Sequence, residues 1–432
     1  MLRALVIRLT ILLLLITGSS QDTVGQDSLC CCDMAAAAPA APDYGGCLWC
    51  RSNLLGDCLG MRSGLASHGI TFQGDVTQYL QGVTDGGLDE TFEYGVHSDR
   101  VFNFDFGTLF GLQGMFLKVR HETQLGDFIN GDTGALLAAN TSGLLPTVQG
   151  DTTAITNFLV TQMLSDTIAV VAGKLDTMDG DLNAYAHARG KDQFMNVALV
   201  CTPIAFRTTP YSTWGAGIVM LGAEGTPVFS LNVFDPQNFA TTINLDDLFA
   251  QGVAISSELR LPTNFFGQPG HHLFAGVWSS RDVALLASAP LLLLPNVPTP
   301  VSSDSWALYW NFDQQIVPNA CDPSKGWGVF GRAAYADDAT NPIEWFLSFG
   351  IGGASPIRGR QNDRFGIGWY RSTGSNQLPG LVLGDYGQGV ELFYNYQVTP
   401  WLHVSPDLQY IEPARRNVDD AVVAGIRVKM TL

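Results

Sequence analysis

From Ile70 onward the chain is written in twos. In "VFNFDFGTLFG", Phe102, Phe104 and Phe106 alternate with Asn103, Asp105 and Gly107. In "GMFLKVRHE", Leu117 and Val119 alternate with Lys118, Arg120 and Glu122; in "IAVVAGKLD", Val171, Gly173 and Leu175 alternate with Lys174 and Asp176. "AISSELRL" sets Ile255, Leu259 and Leu261 against Glu258 and Arg260. "EWFLSFGIGG" and "VELFYNYQV" repeat the pattern, as does the final "AVVAGIRVKMTL", where Val428, Met430 and Leu432 oppose Arg427, Lys429 and Thr431. Period two places alternate side chains on opposite sheet faces, so these stretches predict strands with one apolar and one polar face. Helical spacing shows only before them. In "LLGDCLGMRSGLASHGITF", Leu59, Arg62, Leu65 and Ala66 follow a rough helical period and Gly69 stands where a helix would stop, which predicts a short helix within 54–69.

Two architectures use such strands. A soluble sandwich turns the apolar faces inward, whereas a transmembrane barrel turns them to lipid. Two features favour the barrel. The polar faces carry Gly, Ser and isolated charges of both signs instead of a dense charged skin, and aromatics gather near segment ends, as in "GWGVF", "IGWY" and "TPWLHV". Closure adds weight, because an open edge in hydrocarbon leaves amides unpaired at several kcal/mol each. A final strand that pairs with the first lets the chain stop where the strand does. At roughly 20–24 residues per strand with its connections, Ile70–Leu432 holds about 15–18 strands, and an even count gives 16. The expected fold is all-β: one closed antiparallel transmembrane β-barrel of about 16 strands over 54–432, wide enough for an aqueous channel.

Composition agrees. Charged residues are 15% and apolar types 46%, yet past the start no stretch is long enough for a spanning helix. With 23 basic against 40 acidic residues the net charge is −17, which disfavours nucleic acid and an anion-selective pore. Residues 1–20, with Arg3, Arg8 and the apolar "LTILLLLIT", read as a secretory signal cleaved after Ser20. An uncleaved anchor is the alternative; lipid attachment at Cys30 lacks the Leu expected three residues earlier. Residues 21–53 are a Cys/Ala/Pro-rich linker. Cys30, Cys31, Cys32, Cys47, Cys50 and Cys58 cluster there and just after, and Cys201 and Cys321 could pair or stay free. "CLWC" has redox or metal spacing but no second CxxC or nearby His to complete a zinc set, so disulfides or modified thiols are expected and neither metal nor organic cofactor.

Several of these stretches resemble one family, the carbohydrate-selective porins of the OprB type. The segment 54–72 is similar to its N-terminal signature at Gly56, Asp57, Gly60, Arg62, Leu65, Gly69, Ile70 and Phe72. "AGKLDTMDGD", "PYSTWGAG", "QPGHHLFAGVW", "GWGVFGRAAYADD" and "YQVTPWLHVSPDLQYIEPA" resemble family segments in the same order. Cys58 and Leu59 stand where the family shows Trp-Gly, and residues 30–50 match no family segment. The resemblance implies an outer-membrane channel of 16 strands, narrowed by inward loops, that passes monosaccharides and small oligosaccharides passively. Neutral sugars need hydroxyl partners and a stacking face, not net charge. Expected pore-lining residues are Lys118, Arg120 and Glu122, Lys174 and Asp176, Glu258 and Arg260, and Arg332. Opposite charges on one face would set a transverse field across the lumen, with plain solvated charges as the alternative role. Membrane lipid and sugar are the expected partners, with a homo-oligomer left open. A barrel enzyme would need more than the twin His271–His272 in "PGHHLF", which has no nucleophile motif beside it; an adhesive or structural barrel with a plugged interior is the third reading.

Overall fold

The computed structural model describes residues 44–148, 150–222, 225–293, 298–319, 322–323, 325–378 and 384–432. The secretory signal, Cys30, Cys31, Cys32 and Cys321 lie outside them. The period-two stretches form sixteen strands: β1 Ile70–Gly87, β2 Phe92–Asp105, β3 Met115–Gly126, β4 Thr152–Met163, β5 Ile168–Asp176, β6 Ser212–Leu221, β7 Pro227–Phe234, β8 Ala254–Phe265, β9 Gln268–Ser279, β10 Ser305–Pro318, β11 Gly326–Ala336, β12 Ile343–Ala354, β13 Arg364–Gly374, β14 Tyr386–Thr399, β15 Leu402–Glu412 and β16 Asp419–Thr431. Each pairs antiparallel with its sequence neighbours, and β16 closes on β1 from Asp75↔Thr431 to Gly87↔Asp419. No ladder edge is left open, as hydrocarbon requires.

Connections alternate between a short side, such as the 266–267 turn of β8–β9, and a long side that includes 127–151 and 177–211. Short turns face the periplasm and long loops the exterior in such barrels. Outward residues form the apolar belt: Phe102, Leu259, Leu261, Leu347, Phe349, Leu392 and Ile426 are all exposed. Trp306, Tyr335 and Trp345 touch ring to ring at 5.6 and 4.3 Å near the outer rim, where an aromatic girdle belongs.

The predicted N-terminal helix is shorter than the spacing suggested. Residues 54–60 are turns, and the helix α1 runs Met61–Ser67. Asp57 serves its start, accepting from Ser63 N and Oγ at 2.7 Å each, and those bonds hold its carboxyl below the usual range. Gly69 exits at φ +84°, where a Cβ would lie 2.9 Å from Thr108. Phe106 is not in a strand. Asp105 accepts from Gly107 N and Thr108 N and starts a helical turn, Phe106–Phe110.

The inner face is not uniformly wet. From the 177–211 loop, Phe194, Val197, Leu199, Val200 and Ile204 pack against inward Leu273, Val277, Phe330, Phe346 and Phe393. Gly366 and Gly368 make room for it, since a Cβ on either would come within 2.9 Å of Phe194 or Leu199. Ile129 and Ala139 of the 127–151 loop pack likewise on Val83, Ile411 and Val423.

Candidate functional site in the narrowed lumen

The inward loop is fixed by charges spread around the wall. On one side, Arg120 Nη1 meets Asp176 and, at 3.0 Å, Asp179; Lys118 Nζ meets Asp179 at 2.5 Å. Arg189 of the loop reaches Glu122 at 2.6 Å and also Asp176, while Lys191 spans Asp75 at 2.8 Å and Asp99 at 2.6 Å. Opposite, Arg332 is fully buried; its Nε donates to Asp181 at 3.0 Å and its Nη atoms to the carbonyls of Leu199, Ala186 and Val200. Glu391 accepts from Met195 N and Asn196 N, Arg427 donates to the carbonyls of Gly190 and Gln193, and Lys429 pairs Asp192 at 2.6 Å. A loop bonded on several sides cannot drift, so the lumen keeps one cross-section.

These pairs set the loop's charge states. Burial alone would raise Asp179, but Arg120, Lys118 and Arg189 outweigh it and hold its carboxyl well below the usual range. Asp192 is held down in the same way, by Lys429 against burial. Burial would lower Lys191, yet Asp75 and Asp99 push it above the ordinary lysine value.

Between the loop and β4–β10 lies a cavity of about 330 Å³, hereafter the passage. Asp179, Asp181, Glu258 and Arg260 line it together with Phe206 and Tyr309. Tyr309 Oη donates to Glu258 at 2.8 Å, which presents that carboxylate to the passage. Carboxylates, a guanidinium and aromatic faces thus meet in one place.

The expected residues therefore divide. Glu258 and Arg260 border the passage; Lys118, Arg120, Glu122 and Asp176 point inward but are spent on the loop, and Arg332 is a buried anchor. Lys174 departs from expectation. It pairs with outward Phe158, and its Nζ donates to the carbonyls of Ile155 at 2.6 Å and of Thr242 at 2.9 Å. Val171 and Leu175, the apolar partners expected to face lipid, border the passage instead. The reason is local: at this rim the outer side of β5 meets carbonyls of the 235–253 connection, so a lysine is better satisfied there than in the lumen. Sequence reasoning missed Asp179, Asp181, Arg189, Lys191 and Asp192, whose only signal is the charged run "DTMDGD…ARGKD" in the long gap between two alternating stretches.

The signature residues form a clasp, not a pore. Gly56 and Gly60 take positive φ, and Arg62 donates to the Phe72 carbonyl at 3.4 Å and the Leu432 carbonyl at 2.9 Å, tying α1 to both closing strands. Among the described residues Cys47, Cys50, Cys58 and Cys201 form no disulfide, and Cys201 is buried within the lumen packing.

A closed sixteen-stranded barrel with a lipid-facing belt and a lumen narrowed by a bonded inward loop is the architecture of a porin. Residues 89–432 match the family model "Carbohydrate-selective porin, OprB family", and the chain belongs to that family. It is 31% identical over 137 residues to Porin B of Pseudomonas aeruginosa, a match spanning 27% of this chain and 30% of that protein. It is 23% identical over 429 residues to the putative porin QuiX of Acinetobacter baylyi, across 88% of this chain and 93% of that one. Among solved structures, the high-pH form of Pseudomonas putida OprB superposes with a TM-score of 0.78 over 90% of this chain and all of its own, at 20% identity. The low-pH form gives 0.56 at 18% identity, over 89% of this chain and 99% of its own. At such identities the structural likeness speaks for the fold alone. Family and fold mark a channel of the outer membrane.

Proposed function

We propose that the protein is a passive outer-membrane channel for neutral monosaccharides and small oligosaccharides, and that solute moves between the inward loop and β4–β10. The passage itself supports this reading. Asp181, Glu258 and Arg260 offer acceptors and donors to hydroxyls, while Phe206 and Tyr309 offer faces for the C–H side of a sugar ring. Selectivity at such close quarters comes from pore width and from the donors and acceptors on its walls. Secretion by the segment cleaved after Ser20 belongs to the same proposal.

A further copy of the chain is the proposed partner in the membrane. Arg100, His121 and Thr123 share the outward face with Phe102 and Leu125, and Arg100 Nη2 donates to Thr123 at 2.8 Å. A charge facing acyl chains near the midplane costs about 2–4 kcal/mol, which contact with another barrel avoids.

Planar-bilayer recording tests the channel. Stepwise currents that fall on adding glucose or maltodextrins are expected. Glu258→Gln and Arg260→Gln each remove a hydrogen bond to a charged group, worth about 1.5–3 kcal/mol, and so raise the half-blocking concentration at least about tenfold. A silent membrane, or a current indifferent to sugar, would refute the proposal.

A further inference from the structure

His97 and Asp99 on β2 and Glu122 on β3 face inward behind the loop, enclosed by the charged clamp. The three are buried, and one ligand atom from each lies within 4.8 Å of the others. Neither ring nitrogen of His97 has a hydrogen-bond partner, and neither does Asp99 Oδ1. His97 Nε2 and Glu122 Oε1 are 4.0 Å apart, too far for a hydrogen bond. Buried polar atoms are nearly always paired, so an unpartnered imidazole and an unpartnered carboxylate oxygen in one cluster call for a missing partner.

Charge says what kind. Two groups of ion pairs flank the three, Lys191 with Asp75 and Asp99, and Lys118, Arg120 and Arg189 with Glu122, Asp176 and Asp179, together five carboxylates against four cations. A proton on His97 would offset the excess but add a second N–H with no acceptor. A cation offsets it and takes up the imidazole lone pair.

We propose that His97 Nε2, Asp99 Oδ1 and a Glu122 carboxylate oxygen form a binding site for a divalent ion of the zinc type, with one position left for water. One nitrogen and two carboxylate oxygens suit such borderline ions. Atoms about 2 Å from a shared tetrahedral ion lie roughly 3.3 Å apart, so the three ligands close in modestly on binding. Arg189 and Lys191 stay on the outer side of the carboxylates, at Glu122 and at Asp99 Oδ2, where they orient the ligands. The ion would thereby join β2 and β3 to the loop that narrows the lumen. Alternation along two strands, not a compact motif, brings these ligands together, which is why no spacing in the sequence announces them.

The test uses folded full-length barrel in which Cys30, Cys31, Cys32, Cys47, Cys50, Cys58 and Cys321 are each replaced by Ser, so that accessible thiols do not compete. Zinc is supplied both during refolding and afterwards, because the site is enclosed, and bound metal is counted after dialysis against a weak chelator. One zinc per chain is expected, with at least tenfold weaker retention in His97→Gln. No retained zinc, or equal retention in His97→Gln, overturns the proposal. Should that variant not fold, anomalous diffraction from zinc-loaded crystals decides: a peak within bonding distance of His97 upholds the site. Peaks confined to other residues, such as His271 or His272, are adventitious and overturn it.

Discussion

Arg332 shows what an inward charge does in this barrel. Its guanidinium has no solvent exposure and bonds Asp181 and three loop carbonyls, so truncation leaves a buried carboxylate and several acceptors unpaired. Breaking a buried pair in this way costs about 3–5 kcal/mol. Arg332→Ala is expected to lower the temperature at which the barrel loses its heat-resistant gel mobility and to give larger, noisier single-channel steps. Lys118 makes a comparable bond to Asp179, but both side chains are about a third exposed (32% and 36%), where pairs contribute about 0–1 kcal/mol. From sequence the two residues look alike, each a single cation on a polar strand face. Burial separates them, and burial comes from a loop distant in the chain.

At the scale of elements, the strands and the inward loop obey different rules. Strand facing follows from lipid: Val119 pairs with outward Phe102, and Arg there should cost up to about 2–4 kcal/mol and impair assembly, whereas Arg at Phe104, next to the end of β2, should cost only about 0–1 kcal/mol. Asn103→Arg, on the inner face, should assemble normally, and the yield of folded, heat-modifiable protein reads the difference. Equal yields would mean that the faces are reversed. The loop instead depends on pH. Asp179 and Asp192 are depressed in the folded state, so their contribution is complete above the unfolded carboxylate value of about 4 and is lost as pH falls through their lower folded values. Lys191 is raised, so its contribution is complete below about 10.4 and is lost only as pH climbs through its higher folded value. Channel conductance should therefore hold steady between roughly pH 4 and 10 and turn unstable well beyond either edge of that window, as recordings across pH would reveal.

For the whole molecule, two junctions matter: the closure of the barrel and its contact with neighbours. Arg62 ties α1 to Phe72 and Leu432, and Leu54 N donates to Thr431 O at 2.8 Å, so the N-terminal segment braces the seam where β1 meets β16. The outward Arg100 with His121 marks the proposed contact between copies. Arg100→Leu should leave single-channel block by sugar intact while shifting cross-linked species toward monomer; an unchanged pattern would place the contact elsewhere. The family signature was legible in residues 54–72, but its role as a seam clasp was not, because the Leu432 carbonyl that completes it lies at the far end of the chain. Alternation determined the strands it covers and, in all of those but β5, which face meets lipid, and chain length per strand gave their number, since a bilayer forces apolar side chains outward and every backbone amide into a closed ladder. Only the tertiary structure decided which inner charges anchor the loop, which border the passage, and why Lys174 turns outward, because each of those outcomes depends on which distant loop covers a given face.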